Sequence, residues 1–148
     1  MIRKYSFIIV LLMVTVASCI KPPDYPIEPR IEFVSQSANT FNELGGDSLS
    51  VVLYFEDGDG DIGSDDSVNM FWEDSRFPGY LVPFKIPLLE ISGNSKAISG
   101  TITTYYPITF CSDDANLIDT FYYKIFIEDR AGHQSNTDST DFVYLNCN

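Results

Sequence analysis

Three aspartates that alternate with glycine form the densest group of potential ligands in the chain. Asp57, Asp59 and Asp61 are separated by Gly58 and Gly60. Glycine allows tight backbone turns, and carboxylate oxygens are the ligands that Ca²⁺ prefers in proteins. The pattern therefore predicts a Ca²⁺ site in a loop. The alternative is that Asp and Gly form a plain, solvated turn without an ion.

This loop is not an EF-hand, although its first aspartates have the spacing of one. Ile62 stands where the EF-hand glycine belongs, and Val68 stands where the bidentate glutamate belongs. No helical periodicity flanks the loop. A second acidic segment, residues 128–136, contains Asp129. We predict that Asp129 approaches the first loop and supplies a fourth ligand.

Groups suited to catalysis or to nucleic-acid binding are scarce. His133 is the only histidine, and it follows a glycine in a polar turn that is typical of a surface loop. The chain carries 9 Lys and Arg against 21 Asp and Glu. Phosphate backbones repel so acidic a protein. We predict that the protein is not an enzyme and has no nucleic-acid partner.

The N-terminus has the pattern of a lipoprotein signal peptide. Arg3 and Lys4 precede an apolar run that is too short to span a bilayer, and the run ends in Ala17-Ser18 before Cys19. The pattern predicts that residues 1–18 are removed and that Cys19 is lipidated. The alternative is a secreted protein with an unmodified Cys19. Because no aspartate follows Cys19, we predict a cell-envelope location at the outer membrane. The domain on either the periplasmic or the surface-exposed side is compatible with this prediction.

A proline-rich linker and one domain follow Cys19. Residues 19–30 contain four prolines, which predicts an extended, semi-rigid stalk. Without the signal peptide, 7 basic side chains remain against 21 acidic ones, a net charge of −14. Residues 31–148 are enough for one domain with its own core. In an oxidising compartment Cys111 and Cys147 are expected to form a disulfide, the alternative being two free thiols.

Period-two alternation of apolar residues predicts an all-β domain. The pattern places strands at residues 31–34, 49–55, 69–72, 98–105, 121–127 and 141–145. We predict an immunoglobulin-like β-sandwich of about seven strands with Trp72 in its core; a jelly roll or small barrel is the alternative. In this topology the two cysteines share one pole. Both acidic loops and the start of the first strand share the other pole, nearest the lipid.

The combined motifs resemble a bacterial group. The chain resembles small, uncharacterised Bacteroidota lipoproteins with an immunoglobulin- or cadherin-like domain. Four features carry this resemblance: the lipobox at Cys19, the proline stalk, the Asp-Gly-Asp-Gly-Asp-Ile-Gly segment at 57–63 and the Asp-Arg-Ala-Gly-His segment at 129–133. The resemblance covers nearly all of the mature chain. It implies a lipid-anchored β-sandwich and carries no activity with it.

An aromatic segment at residues 77–84 is the second candidate site. Tyr80 and Phe84 lie on a stretch stiffened by prolines, where their rings could stack on sugar rings or dock an envelope protein. The alternative is that the segment closes the open edge of the sandwich. The sequence thus predicts a binding or structural module that is anchored by lipid, with a carbohydrate-binding accessory lipoprotein of a polysaccharide-uptake system as the alternative.

Overall fold

Ten short strands make up the structure, a computed structural model that describes residues 23–89, 96–108, 110–112 and 117–147. The strands are β1 (Arg30–Gln36), β2 (Thr40–Asn42), β3 (Ser48–Asp57), β4 (Met70–Asp74), β5 (Leu81–Phe84), β6 (Ile98–Pro107), β7 (Ile118–Phe121), β8 (Tyr123–Ile127), β9 (Asp138–Ser139) and β10 (Val143–Asn146). The predicted all-β, immunoglobulin-like sandwich is confirmed. Cys19 and the predicted signal peptide lie outside the described residues.

The strands form two layers. One layer is the antiparallel sheet β1-β3-β6. The other consists of the sheets β2-β10-β7 and β5-β4-β8-β9, which continue into each other because only Tyr122 separates β7 from β8. β2 pairs in parallel with β10, so the first part of the chain contributes one strand to each layer. The strand predicted at residues 121–127 is interrupted at Tyr122. The strand predicted at 141–145 corresponds to β10, and the short strand β9 precedes it.

Alternation along the strands builds the core. The inward residues of β3 and of the β7–β8 region are buried as the pattern predicts. In the last strand the sequence pattern fits two alternations equally well, with either Phe142 and Tyr144 or Val143 and Leu145 facing inward. The structure buries Val143 and Leu145, while Phe142 and Tyr144 are exposed. Trp72 is fully buried, with its ring centroid 5.2 Å from that of Tyr123. The prediction of a core tryptophan is therefore correct.

The segment after β4 contains an edge strand. Within the described residues β5 pairs with β4 alone, and it includes Pro83 opposite Phe71. A proline cannot donate a hydrogen bond to a neighbouring strand, so an edge is where it is tolerated. The short strand β2 was not predicted from the sequence, because three residues are too few to show an alternation.

The disulfide forms as predicted. Cys111 and Cys147 are bonded, with their Cα atoms 6.1 Å apart. The bridge joins the β6–β7 connection to the end of β10, so both cysteines lie at one pole of the sandwich. A cross-link over 36 residues restricts the unfolded chain and contributes about 4 kcal/mol in the chain-entropy model.

A buried arginine connects two carboxylates near the same pole. Arg76 forms ion pairs with Asp74 at 2.6 Å and with Asp119 at 2.9 Å. Its Cζ lies 3.5 Å from the ring centroid of Phe121. Burial alone would raise the pKa of Asp119, but hydrogen bonds from Ser112 and Arg76 outweigh it, so this pKa lies below its ordinary value.

We predict that Arg76→Leu lowers the free energy of unfolding by about 3 kcal/mol at neutral pH, because it leaves buried carboxylates unpaired. Lys124→Met is the matched control: it breaks the more exposed Lys124–Glu73 pair, which solvent screens, and should lower the free energy of unfolding much less than Arg76→Leu does. Urea unfolding of both variants measures the difference.

The difference in the free energy of unfolding between wild type and Arg76→Leu should depend on pH. Asp119 has a lowered pKa in the folded state, so its stabilising contribution is present at neutral pH and is lost as the pH falls through that lowered pKa. The gap between wild type and Arg76→Leu should therefore narrow below about pH 4. Equal losses for the two variants at neutral pH would contradict the assignment.

Candidate functional site

The acidic loop begins where a core strand ends. Asp57 is the last residue of β3 and continues the inward face of that strand, so its side chain is fully buried. Its Oδ2 accepts hydrogen bonds from the backbone N–H groups of Asp61 at 2.8 Å and Ile62 at 3.2 Å. Ile62 is itself buried in the core. The carboxylate of Asp57 thereby holds both ends of a tight turn together.

The turn brings three carboxylates to one point. Gly60 has φ of 70°, which only glycine adopts without strain, and it lies between the second and third aspartates. One carboxylate oxygen each from Asp57, Asp59 and Asp61 lies within 4.8 Å of the others. The Oδ1 atoms of all three are buried and have no hydrogen-bond partner among the residues that the structure describes. Such unsatisfied acceptors are costly and few in native proteins.

Electrostatics make this arrangement unfavourable without a counter-charge. Burial raises the pKa of Asp57, and a contact with Asp59 raises it further. The pKa of Asp61 is also raised, first by burial and then by Asp129 and Asp59. A carboxyl whose pKa is raised by folding destabilises the folded state once the pH exceeds that pKa. A cation between the carboxylates would remove this cost.

The geometry suits a hard divalent cation. Two oxygens bonded to one Ca²⁺ at about 2.4 Å each are at most about 4.8 Å apart, which the three aspartates satisfy. Ca²⁺ takes six to eight oxygen ligands, so backbone carbonyls and water would complete the set. The ligand atoms offered here are all oxygens, which Ca²⁺ and Mg²⁺ prefer over softer metals.

Asp129 lies next to this cluster but is directed at a different group. The Arg130 N–H donates to the Asp61 carbonyl at 3.3 Å, so the two predicted loops do meet. However, Asp129 Oδ1 accepts the His133 backbone N–H at 2.8 Å, and its Oδ2 lies 2.8 Å from His133 Nδ1. This contact raises the pKa of His133. The carboxylates that could hold an ion together are therefore those of Asp57, Asp59 and Asp61, and Asp129 is a nearby negative charge.

The proline-rich segment contacts the acidic loop, which differs from a stalk that is free up to residue 30. The Gly58 N–H donates to the Pro26 carbonyl at 2.8 Å, and Pro29 is buried. β1 begins at Arg30, one residue earlier than predicted. The sequence of the proline-rich segment does not predict this contact, because its partner is the loop that follows β3.

The aromatic segment is divided between core and surface. Phe84 packs inside, with its ring centroid 5.2 Å from that of Trp72, so it closes the core. Tyr80 is 69% exposed and lines a cleft of about 550 Å³. Phe77, Tyr106 and Phe110 line the same cleft. Tyr106 and Phe110 come from distant parts of the sequence, and only the folded chain brings them to Tyr80.

The structure also limits thiol chemistry. Cys111 is committed to the disulfide and offers no thiol to pair with His133. In the described part of the chain, no helix is long and apolar enough to span a bilayer.

Comparisons with protein-family models, with curated proteins and with solved structures find no match to this chain. The resemblance to Bacteroidota lipoproteins therefore stays a prediction.

Proposed function

We propose that this chain is a lipid-anchored cell-envelope protein whose β-sandwich acts as a non-catalytic binding or structural module and holds Ca²⁺ at its stalk-proximal pole. The observation that carries the cation site is the set of three buried, unpartnered carboxylate oxygens from Asp57, Asp59 and Asp61. Asp57 is fully buried, so its charge is removed from water whether or not an ion is bound. A cation supplies the compensation that such a charge needs.

The anchor is supported by the sequence and agrees with the position of the site. The basic residues, apolar run and small residues before Cys19 fit a lipoprotein signal, and the lack of an aspartate directly after Cys19 favours outer-membrane attachment. The segment that would lead to the lipid contacts Gly58, within the acidic loop. The cation site would thus lie at the end of the domain nearest the membrane.

We predict that millimolar Ca²⁺ raises the melting temperature of the mature protein relative to chelator at constant ionic strength. A ligand at one hundred times its Kd stabilises the folded state by roughly 2.7 kcal/mol, which corresponds to a shift of roughly 10 °C for a domain of this size. Mg²⁺ in a parallel sample distinguishes the two cations. Asp59→Asn combined with Asp61→Asn should abolish the shift, and should raise the melting temperature in chelator because it relieves repulsion.

Asp66→Asn is the matched control, since Asp66 is an exposed carboxylate that follows the same loop and lies outside the cluster. It should keep the full Ca²⁺ response. An equal Ca²⁺ shift in the double variant, or none in the wild type, would contradict the cation site.

We predict that Cys19→Ser releases the protein from the membrane fraction without changing its melting temperature, because Cys19 precedes the segment that packs on the domain. Fractionation after a high-salt wash and a thermal melt of the released protein test both parts. A Ser variant that still sediments with membranes would refute the lipid anchor.

A second candidate function is favoured by the cleft around Tyr80. Exposed aromatic rings of Phe77, Tyr80 and Phe110 form one surface near the disulfide, at the pole away from the stalk. Asp74 also lines the cleft and is paired with Arg76, which pairs with Asp119 as well, so the three groups carry a net charge of −1 and disfavour an anionic ligand. These properties support binding of a neutral glycan, as in the carbohydrate-binding accessory alternative.

We predict that Tyr80→Ala weakens binding by about tenfold, the effect of losing roughly 1.4 kcal/mol, for any neutral polysaccharide that retards the mature protein in affinity electrophoresis. Tyr105→Ala is the control, because Tyr105 is 66% exposed but does not line the cleft. Equal weakening by both variants, or retardation by none of a panel of neutral polysaccharides, would count against this function.

A further inference from the structure

The segment that precedes β1 is held against the acidic loop by a contact that requires glycine. A Cβ atom at position 58 would lie 2.3 Å from the Tyr25 carbonyl oxygen and 2.5 Å from that of Pro26. Gly58 does not have a positive φ, so its own backbone conformation does not demand glycine. The absence of a side chain at this position therefore serves the close approach of the segment.

A second contact lies further along the same segment. The Tyr25 hydroxyl is 3.4 Å from Ser99 Oγ on β6, and Ser99 is paired with Glu56 of β3. Tyr25 thus reaches from the acidic loop to the neighbouring strand. Together with the hydrogen bond from Gly58 N–H to the Pro26 carbonyl, this seats the segment across the end of the β3–β6 pair.

We infer that a divalent cation bound by Asp57, Asp59 and Asp61 clamps this segment onto the sandwich. The inference rests on the proposed cation site. Gly58 lies between two of the ligands, so its peptide group moves whenever the carboxylates of Asp57 and Asp59 separate. Without a cation these buried like charges repel each other; with a cation they are drawn together, and the Gly58 N–H is held where it meets the Pro26 carbonyl.

The coupling acts in both directions. If the cation favours the docked segment, the docked segment must favour the cation by the same factor, because binding free energies are reciprocally linked. Docking at Tyr25 also shortens the free part of the predicted stalk from residues 19–30 to residues 19–24. At about 3.1 Å per residue, the reach from the lipid falls from about 37 Å to about 19 Å. The cation thereby sets how closely the domain is tethered to the membrane.

The test uses the full mature chain with Cys19→Ser, so that the protein is soluble. Hydrogen exchange of the residue-58 amide is followed by NMR with Ca²⁺ and with chelator, and Ca²⁺ affinity is measured by calorimetry. We expect Ca²⁺ to slow exchange of the Gly58 amide by about tenfold, a typical size for coupling between sites. Gly58→Ala keeps all three carboxylates but should bind Ca²⁺ about tenfold more weakly and lose the slow exchange.

Two further variants test the same contact in case Gly58→Ala does not fold. Tyr25→Phe and Ser99→Ala each remove the hydroxyl contact while leaving the loop intact, and each should weaken Ca²⁺ binding. Asp66→Asn is the control that should leave both affinity and exchange unchanged. Ca²⁺ binding with unaltered Gly58 exchange, or with equal affinity in the three contact variants, would overturn the clamp and leave the cation site standing. Absence of Ca²⁺ binding by the wild type would overturn both.

Discussion

The burial of Asp57 is the constraint on which the functional end of the molecule depends. β3 points every second side chain into the core from Leu49 to Asp57, so a carboxylate occupies a position that an apolar residue would otherwise fill. One of its oxygens is satisfied by the turn that follows, and the other has no partner. The loop, the neighbouring carboxylates and the docked segment are arranged around that remaining oxygen.

The sandwich itself is closed by contacts that do not belong to a regular sheet. Asn136 accepts from Ile31 N–H and donates to the Ile31 carbonyl, each at 2.9 Å, so its amide replaces a strand partner at the edge of β1. Asp138 accepts the Phe33 N–H at 2.6 Å. These bonds tie the two layers together beside the acidic loop. The disulfide does so at the opposite pole, next to the aromatic cleft, where the Arg76 ion pairs join β4 to β7 within one layer.

Strands with strong alternation were predictable, and local irregularities were not. The inward face of β3 is visible in the sequence because period two determines which side of a sheet each residue faces. The break at Tyr122 and the short β2 depend on pairing with distant strands, which local pattern does not reveal. In the final strand two registers had equal apolar character. Pairing of Val143 with Phe121 decided between them, since the core accommodates only one set.

The candidate site, like the strands, was predictable from the sequence only in part. The alternation of Asp and Gly from Asp57 to Asp61 was sufficient by itself to predict converging carboxylates, because the ligand-bearing residues and the turn that gathers them are contiguous. The pair of cysteines likewise predicted the disulfide. Only the tertiary structure decided that Asp129 turns to His133, that Phe84 is core while Tyr80 is surface, and that Pro26 meets Gly58. The last two depend on contacts between segments far apart in the chain, which the packing of the whole domain selects. The Asp129–His133 contact spans only four residues, but it depends on a turn conformation that the local pattern of residue types does not specify.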